Sequence, residues 1–161
     1  TAALYNHGGY YFDIDMGTIH PLLLDDPMID FSAVMEPSDE VNHEVSSGIF
    51  QSFLASKANH PILKQTLVEL ANIYYKNSTI EGCGTDLVLG SCSMKLAYDI
   101  TMENYDHDEE MKQGIHFLQE ADLGDLKDNT EQFPNLPEKQ ENCDGLLCND
   151  IILDPQTNSI H

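Results

Sequence analysis

Apolar residues along the chain gather in short clusters set apart by polar stretches rich in glycine, proline and acid. The most regular segment is HPILKQTLVELANIYYK, His60 to Lys76, where Leu63, Leu67, Leu70 and Tyr74 recur at spacings of four, three and four. That spacing predicts a helix with those four side chains on its packing face. Pro61 suits its first turn, where a missing N–H removes no bond, and His60 caps or precedes it. A second helix is predicted from Asp86 to about Asp99, with Thr85 as N-cap. TAALYNH at the start reads as the last turns of a helix, and Gly8-Gly9 as the left-handed cap that ends it.

Two segments read as strands. Tyr10 to Asp13 is short, aromatic and of high β propensity, and its run predicts a buried strand with Tyr10, Tyr11 and Phe12 in the core. Phe31 to Met35, FSAVM, lies between the polar stretches DDPMID and EPSDE. Pro21 excludes a central strand over Ile19 to Leu24. Ile115 to Leu118 is a further strand candidate. Asn104 to Lys112 is acidic and solvated, Asp125 to Asp144 reads as a long loop, and Leu146 to Leu153 is a last apolar run closed by the turn signal DPQTN. Strands alternating with helices predict the α/β class, with most of the sequence in one domain.

The chain has 161 residues, which fits one modest domain or a substantial piece of a larger one. It opens on Thr1 in the midst of helical character, so the expectation is a piece. The 161 residues hold no signal-peptide pattern and no apolar run of membrane-spanning length, and a chain cut at its front does not speak to what stands upstream. The formal net charge is −21, from 28 acidic and 7 basic residues. Such a field repels phosphate backbones and anionic membranes, so nucleic acid is excluded as a partner. An anionic small substrate meets the same repulsion unless a cation bridges it to the carboxylates.

Four cysteines, Cys83, Cys92, Cys143 and Cys148, lack the spacing of a zinc site. Both a short bridge within CDGLLC and a bridge between Cys83 and Cys92 are open. Together with the sequon Asn77-Ser78-Thr79, they favour a luminal, oxidising compartment.

The stretch that carries chemistry is GGYYFDIDMG, Gly8 to Gly17. Alternation along a strand puts Asp13 and Asp15 on one side, with Ile14 on the other. Two like charges held that close call for a cation between them, and hard oxygen ligands at a strand end suit Mn2+ or Mg2+. The competing reading is a strand that ends in solvated acid. A calcium EF-hand loop is excluded, because Gly17 falls on the fifth ligand position and Leu24 stands where the glutamate belongs. FDIDMGT also resembles the nucleophile motif of haloacid dehalogenase-class phosphatases, with Met16 inserted and GDLKD at Gly124 to Asp128 only a loose match to the later elements.

LYNHGGYYFDIDMGTIHPL most closely resembles the DXD sugar-binding region of glycosyltransferase family 32, the group with the initiating α-1,6-mannosyltransferases. The elements that carry the likeness are Leu4-Tyr5, Gly8-Gly9, Tyr10 or Tyr11, Asp13-Ile14-Asp15 and Pro21-Leu22. SSGIFQSFLASKANHPILKQTLVEL looks like the family's next block, in which a small segment leads to a His-Pro pair opening a long helix. EGCGTDLV looks like its Gly-Pro segment, with Cys83 in place of the proline. Gln51 stands where many members carry Asn.

The resemblance implies a GT-A type α/β fold, partial here for want of the N-terminal part. Residues 1–103 would form the C-terminal part of the catalytic domain and 104–161 an acidic, loop-rich extension of it. It implies an enzyme that moves a hexose, with retention, from a nucleotide-diphosphate sugar to a glycan or lipid acceptor, with Mn2+ or Mg2+ held by Asp13 and Asp15. Gly8, Gly9, Asp13 and Asp15 would line the donor site, and Gly48 and Gln51 are candidate sugar contacts. No nucleophile is identified. The implied location is the Golgi lumen, with any membrane anchor upstream. The readings from other classes are the phosphatase and a noncatalytic acidic domain that binds cations.

Overall fold

Strand β3, Ile49–Ser56, hydrogen-bonds along both edges, and the sheet is built outward from it. In the computed structural model the described residues are 1–13, 29–35, 48–76, 89–105, 108–122, 150–154 and 159–160. Together with β1 (Gly9–Phe12), β2 (Phe31–Met35), β4 (Ile115–Asp122), β5 (Asp150–Asp154) and β6 (Ser159–Ile160), β3 forms one mixed sheet in the order β1-β3-β2-β4-β5-β6. The β2–β4 pair is parallel and all others are antiparallel. No strand is expected over IFQSFLAS from its pattern, so β3, around which the sheet is organised, corrects that expectation.

The helices are α1 (Ala2–His7), α2 (Pro61–Lys76), α3 (Leu89–Asn104) and α4 (Glu109–Gln113). Helices α2 and α3 pack on each other, and α3 also lies against β3. Leu4 of α1, Phe31 and Ala33 of β2, Ile49 and Leu54 of β3, Ile62 and Leu63 of α2 and Met94 of α3 form the core between helices and sheet. The architecture is thus mixed α/β, as expected. Among the described residues no helix is long and apolar enough to cross a membrane.

Two expectations about packing are corrected. Strand β1 is an exposed edge, with Tyr10, Tyr11 and Phe12 at 58, 44 and 40% exposure, because it has β3 on one side and no described strand on the other. Of the stripe expected on α2, Leu63 is buried beside Ile62 and Thr66 and Leu67 and Leu70 are half-buried, but Tyr74 near the last turn is 73% exposed. After residue 103, the strand expected over Ile115 to Leu118 is β4, α4 lies within the acidic run, and β5 and β6 follow. Helix α3 also runs five residues past Asp99, to Asn104. Thr85 and the loop predicted over Asp125 to Asp144 lie outside the described residues.

Two small features lock the entry to this core. The Gly8 N–H donates to the Leu4 carbonyl at 2.8 Å and closes α1, with φ 67° and ψ −170°, a positive-φ extended turn rather than the left-handed helical cap expected. A Cβ there would meet the Ala58 backbone nitrogen at 2.8 Å and the Ser56 carbonyl oxygen at 3.0 Å, so only glycine permits α1 to approach the β3–α2 turn. His60 is buried, stacks on Phe31 with ring centroids 5.2 Å apart, and accepts the Ile62 N–H on Nδ1 at 3.3 Å. It therefore caps the first turn of α2 as a neutral imidazole. Burial lowers its pKa from 6.5 to about 4, against the attraction of Asp30 and with a small further push from Lys57.

Gly8→Ala is expected to destabilise the fold by about 1–3 kcal/mol through positive φ and backbone collision together, read from the midpoint of urea unfolding. The depressed His60 pKa means that the unfolded chain takes up the proton first as pH falls. Its contribution is fully present above pH 6.5 and is lost on acidification towards pH 4, by at most about 3 kcal/mol in total. In His60→Asn, which keeps an acceptor for the cap, unfolding free energy measured between those pH values should fall less steeply than in the wild type. Equal slopes would place the titrating group elsewhere.

Candidate functional site

The ladder between β1 and β3 runs one hydrogen bond past the end of β1. Phe12 pairs with Phe53, and the next N–H, that of Asp13, donates to the Ser52 carbonyl at 2.9 Å. On the other edge of β3 the register breaks at the same level: Ala33 faces Leu54, whereas Val34 faces Phe50. Gln51, Ser52 and Phe53 are the residues of β3 between those two partners, so β3 engages β1 where it has parted from β2. Irregularities of this kind bend a strand and re-aim its side chains, and they are common beside sites.

The side chain of Asp13 is anchored as well as its backbone. Tyr11 lies two residues back and therefore on the same side of the strand, and its hydroxyl donates to Asp13 Oδ1 at 2.5 Å. That length is at the short end of the range for a hydroxyl bonded to an ionised carboxylate. Oδ2 accepts no hydrogen bond among the described residues. Phe12 points the other way, stacking on Tyr10 at 6.4 Å and tilting against Phe53 at 5.2 Å.

Gln51 comes from the irregular part of β3 and crosses to α3. A Cβ at Gly90, in the first turn of that helix, would lie 2.8 Å from Gln51 Oε1 and 3.2 Å from its Nε2, so the amide lies against the helix at a position that carries no side chain. Gly48 is buried one residue before β3. Asp13 and Gln51 thus belong to one end of the β1–β3 pair, and Gly48 lies beyond it, four residues before Ser52.

Gly8 and Gly9 do not join them. Gly9 pairs with Ser56 at the opposite end of β1, roughly 13 Å from Asp13 at the usual rise per residue. There it borders a cleft of about 170 Å3 together with Tyr10, Asp30, Phe31, Ser56 and Lys57, and Lys57 and Asp30 form an ion pair. Gly9 has a φ of 107° and open space where a Cβ would be, so its glycine answers to backbone conformation rather than to a close neighbour.

The expected strand reaches Asp13 through its backbone bond to Ser52. Strand β1 stops at Phe12, and Asp13 stands just past it. Asp15 lies outside the described residues. Among the described residues no group of three or more His, Cys, Asp or Glu gathers as a ready-made metal cage. What Asp13 does offer fits one position of a hard cation's shell: a partly exposed carboxylate with a fixed backbone and one uncommitted oxygen. His60 is excluded from such a role by its burial and its cap. Cys92 is disulfide-bonded, and the other three cysteines lie outside the described residues.

Two elements of this site escape the sequence reading. Ser52 contributes a carbonyl, which no residue type announces. Tyr11 was legible in principle, since a phenol two positions before a carboxylate on a strand must share its side. No family model matches the chain, and no curated protein or solved structure matches it.

Gly90→Ala tests the Gln51 placement. The methyl forces the amide aside, while alanine improves helix propensity by about 1 kcal/mol, so net stability should change by less than that. The side-chain amide resonances of Gln51 should move in a nitrogen–proton spectrum. Unmoved resonances would place Gln51 away from α3.

Proposed function

We propose that this chain is a segment of a metal-dependent glycosyltransferase of the GT-A type, which takes a hexose from a nucleotide-diphosphate sugar and passes it to a glycan or lipid acceptor. The observation that carries the reading is the placement of Asp13: directly past a strand end, pinned through its N–H to Ser52 and through Oδ1 to Tyr11, at the end of β3 that also bears Gln51. A strand needs no such carboxylate for its own stability. A charge fixed at both ends fits a binding task better than a solvated terminus.

Asp13 and, from the sequence, Asp15 would hold Mn2+ or Mg2+. When bound, that ion neutralises the donor diphosphate and eases departure of the nucleotide as a Lewis acid. The residues themselves do the positioning. Asp13 holds its uncommitted oxygen at a fixed place, Gln51 has an amide at the first turn of α3 able to meet sugar hydroxyls, and the irregular part of β3 keeps the two at the same end of the sheet. With a chain charge of −21, an anionic donor is attracted only with the cation present. The disulfide at Cys92 agrees with an oxidising lumen, the Golgi among them.

The test is calorimetry of nucleoside diphosphates and their sugars against the 161-residue chain, with and without Mn2+, beside Asp13→Asn. The expected outcome is binding that requires the metal and weakens at least tenfold in the variant, about 1.4 kcal/mol or more. Phosphate release from a phosphomonoester with Mg2+ would instead favour the phosphatase reading. Metal uptake indifferent to both nucleotide and Asp13 would leave only an acidic cation-binding domain.

A further inference from the structure

The far end of α2 takes no part in the site at β1 and β3. The buried residues of this helix, Ile62, Leu63 and Thr66, all lie in its first two turns. Its last three residues, Tyr74, Tyr75 and Lys76, are exposed, and Tyr75 at 88% is the most exposed large hydrophobic side chain among the described residues. Asn77-Ser78-Thr79, the single N-x-S/T sequon of the chain, follows in sequence and lies outside the described residues. We propose that Asn77 carries an N-linked glycan and that Tyr75 is the platform on which its first sugar rests. The proposal shares with the transferase reading only the luminal, oxidising compartment, on which it rests.

Three independent features meet here. The sequon has Ser78 rather than proline in its middle and a threonine hydroxyl at its third position, the form that accepts glycans in secreted proteins. A glycan and the enzyme that attaches it both need room, and three consecutive exposed residues lead up to the acceptor. The disulfide at Cys92, on the helix packed against α2, belongs to the oxidising compartment in which such transfer occurs.

Tyr75 gives the attachment a structural consequence. It stands two positions before Asn77 and presents an aromatic face to water. An N-acetylhexosamine ring has a face of C–H bonds with slight positive charge, which the negative face of the aromatic quadrupole attracts. Stacking of the two removes apolar area from water and restrains the first sugar.

The covalent step is a substitution at the anomeric carbon of an oligosaccharide carried on a lipid diphosphate. The Asn77 amide nitrogen bonds to that carbon and gives up one proton. The bond from the same carbon to the diphosphate oxygen breaks, and its electron pair departs with the lipid diphosphate.

The test expresses the 161-residue chain behind a cleavable secretion signal in eukaryotic cells. Its mass is read before and after an amidase that releases N-linked glycans and leaves aspartate in place of the asparagine. The expected result is a loss of mass that peptide mapping locates at Asn77, kept in Thr79→Ser and absent from Thr79→Ala, with both variants secreted. The melting temperature should fall after the amidase but not after an endoglycosidase that leaves the first sugar. In Tyr75→Ala that fall should vanish, apart from the effect of the new aspartate, which Asn77→Asp measures alone.

A wild-type chain secreted with its disulfide formed and Asn77 unmodified overturns the proposal. It leaves the transferase reading untouched, because nucleotide binding is measured on the same secreted protein. A glycan on Asn77 whose removal lowers the melting temperature equally in Tyr75→Ala overturns the platform alone. A secreted chain in which Cys92 stays a free thiol sinks the compartment reading, and the proposal with it.

Discussion

Strand β3 is the strand on which the rest of this fold depends, because Leu54, Ala55 and Ser56 are paired on both edges and the other residues of its ladders on one. Its antiparallel ladders hold β1 and β2. Through Ile49 and Leu54 it also supplies the floor on which Ile62, Leu63 and Met94 pack. Because a buried unpaired N–H or C=O costs about 1–3 kcal/mol, β3 cannot slip in register without a large penalty on both edges. The break opposite Ala33 and Val34 is therefore a constrained irregularity: at that level β3 gives up partners on β2 and keeps β1, and Asp13 is the residue that meets it there.

That arrangement links packing to the site. The same carbonyl of Ser52 that would otherwise need a partner accepts from Asp13, so a backbone requirement fixes where the acid stands. Gln51, next to it, reaches α3 only because Gly90 offers no side chain. The candidate site is assembled from residues that the sheet must place for its own reasons, with the Tyr11 phenol added on the edge strand.

The sequence made legible what is local. The α2 segment, the glycine end of α1, the FSAVM strand and the cap at His60 all depend on a few neighbouring residues, and all stand where their patterns put them. What depended on distant pairing did not show. IFQSFLAS mixes two apolar phases because its irregular centre changes which face its side chains meet, so neither period two nor period 3.6 runs through it. Tyr10, Tyr11 and Phe12 look like core by composition, yet burial follows strand order, which no tripeptide encodes. Asp13 was found from its chemistry, whereas its anchoring by Ser52 needed the ladder.

The exposed aromatic edge at β1 has a colloidal side. A strand that meets no other described strand on its outer edge, with Tyr10, Tyr11 and Phe12 exposed, is a template on which another copy can pair. At neutral pH each molecule carries a charge of −21, and mutual repulsion keeps such edges apart. That protection fades near the isoelectric point of about 4.2, close to the pH of about 4 at which folded His60 takes its proton. Acid therefore removes the repulsion between molecules over the same range in which it loosens the core within each one, and the two effects add in the direction of aggregation.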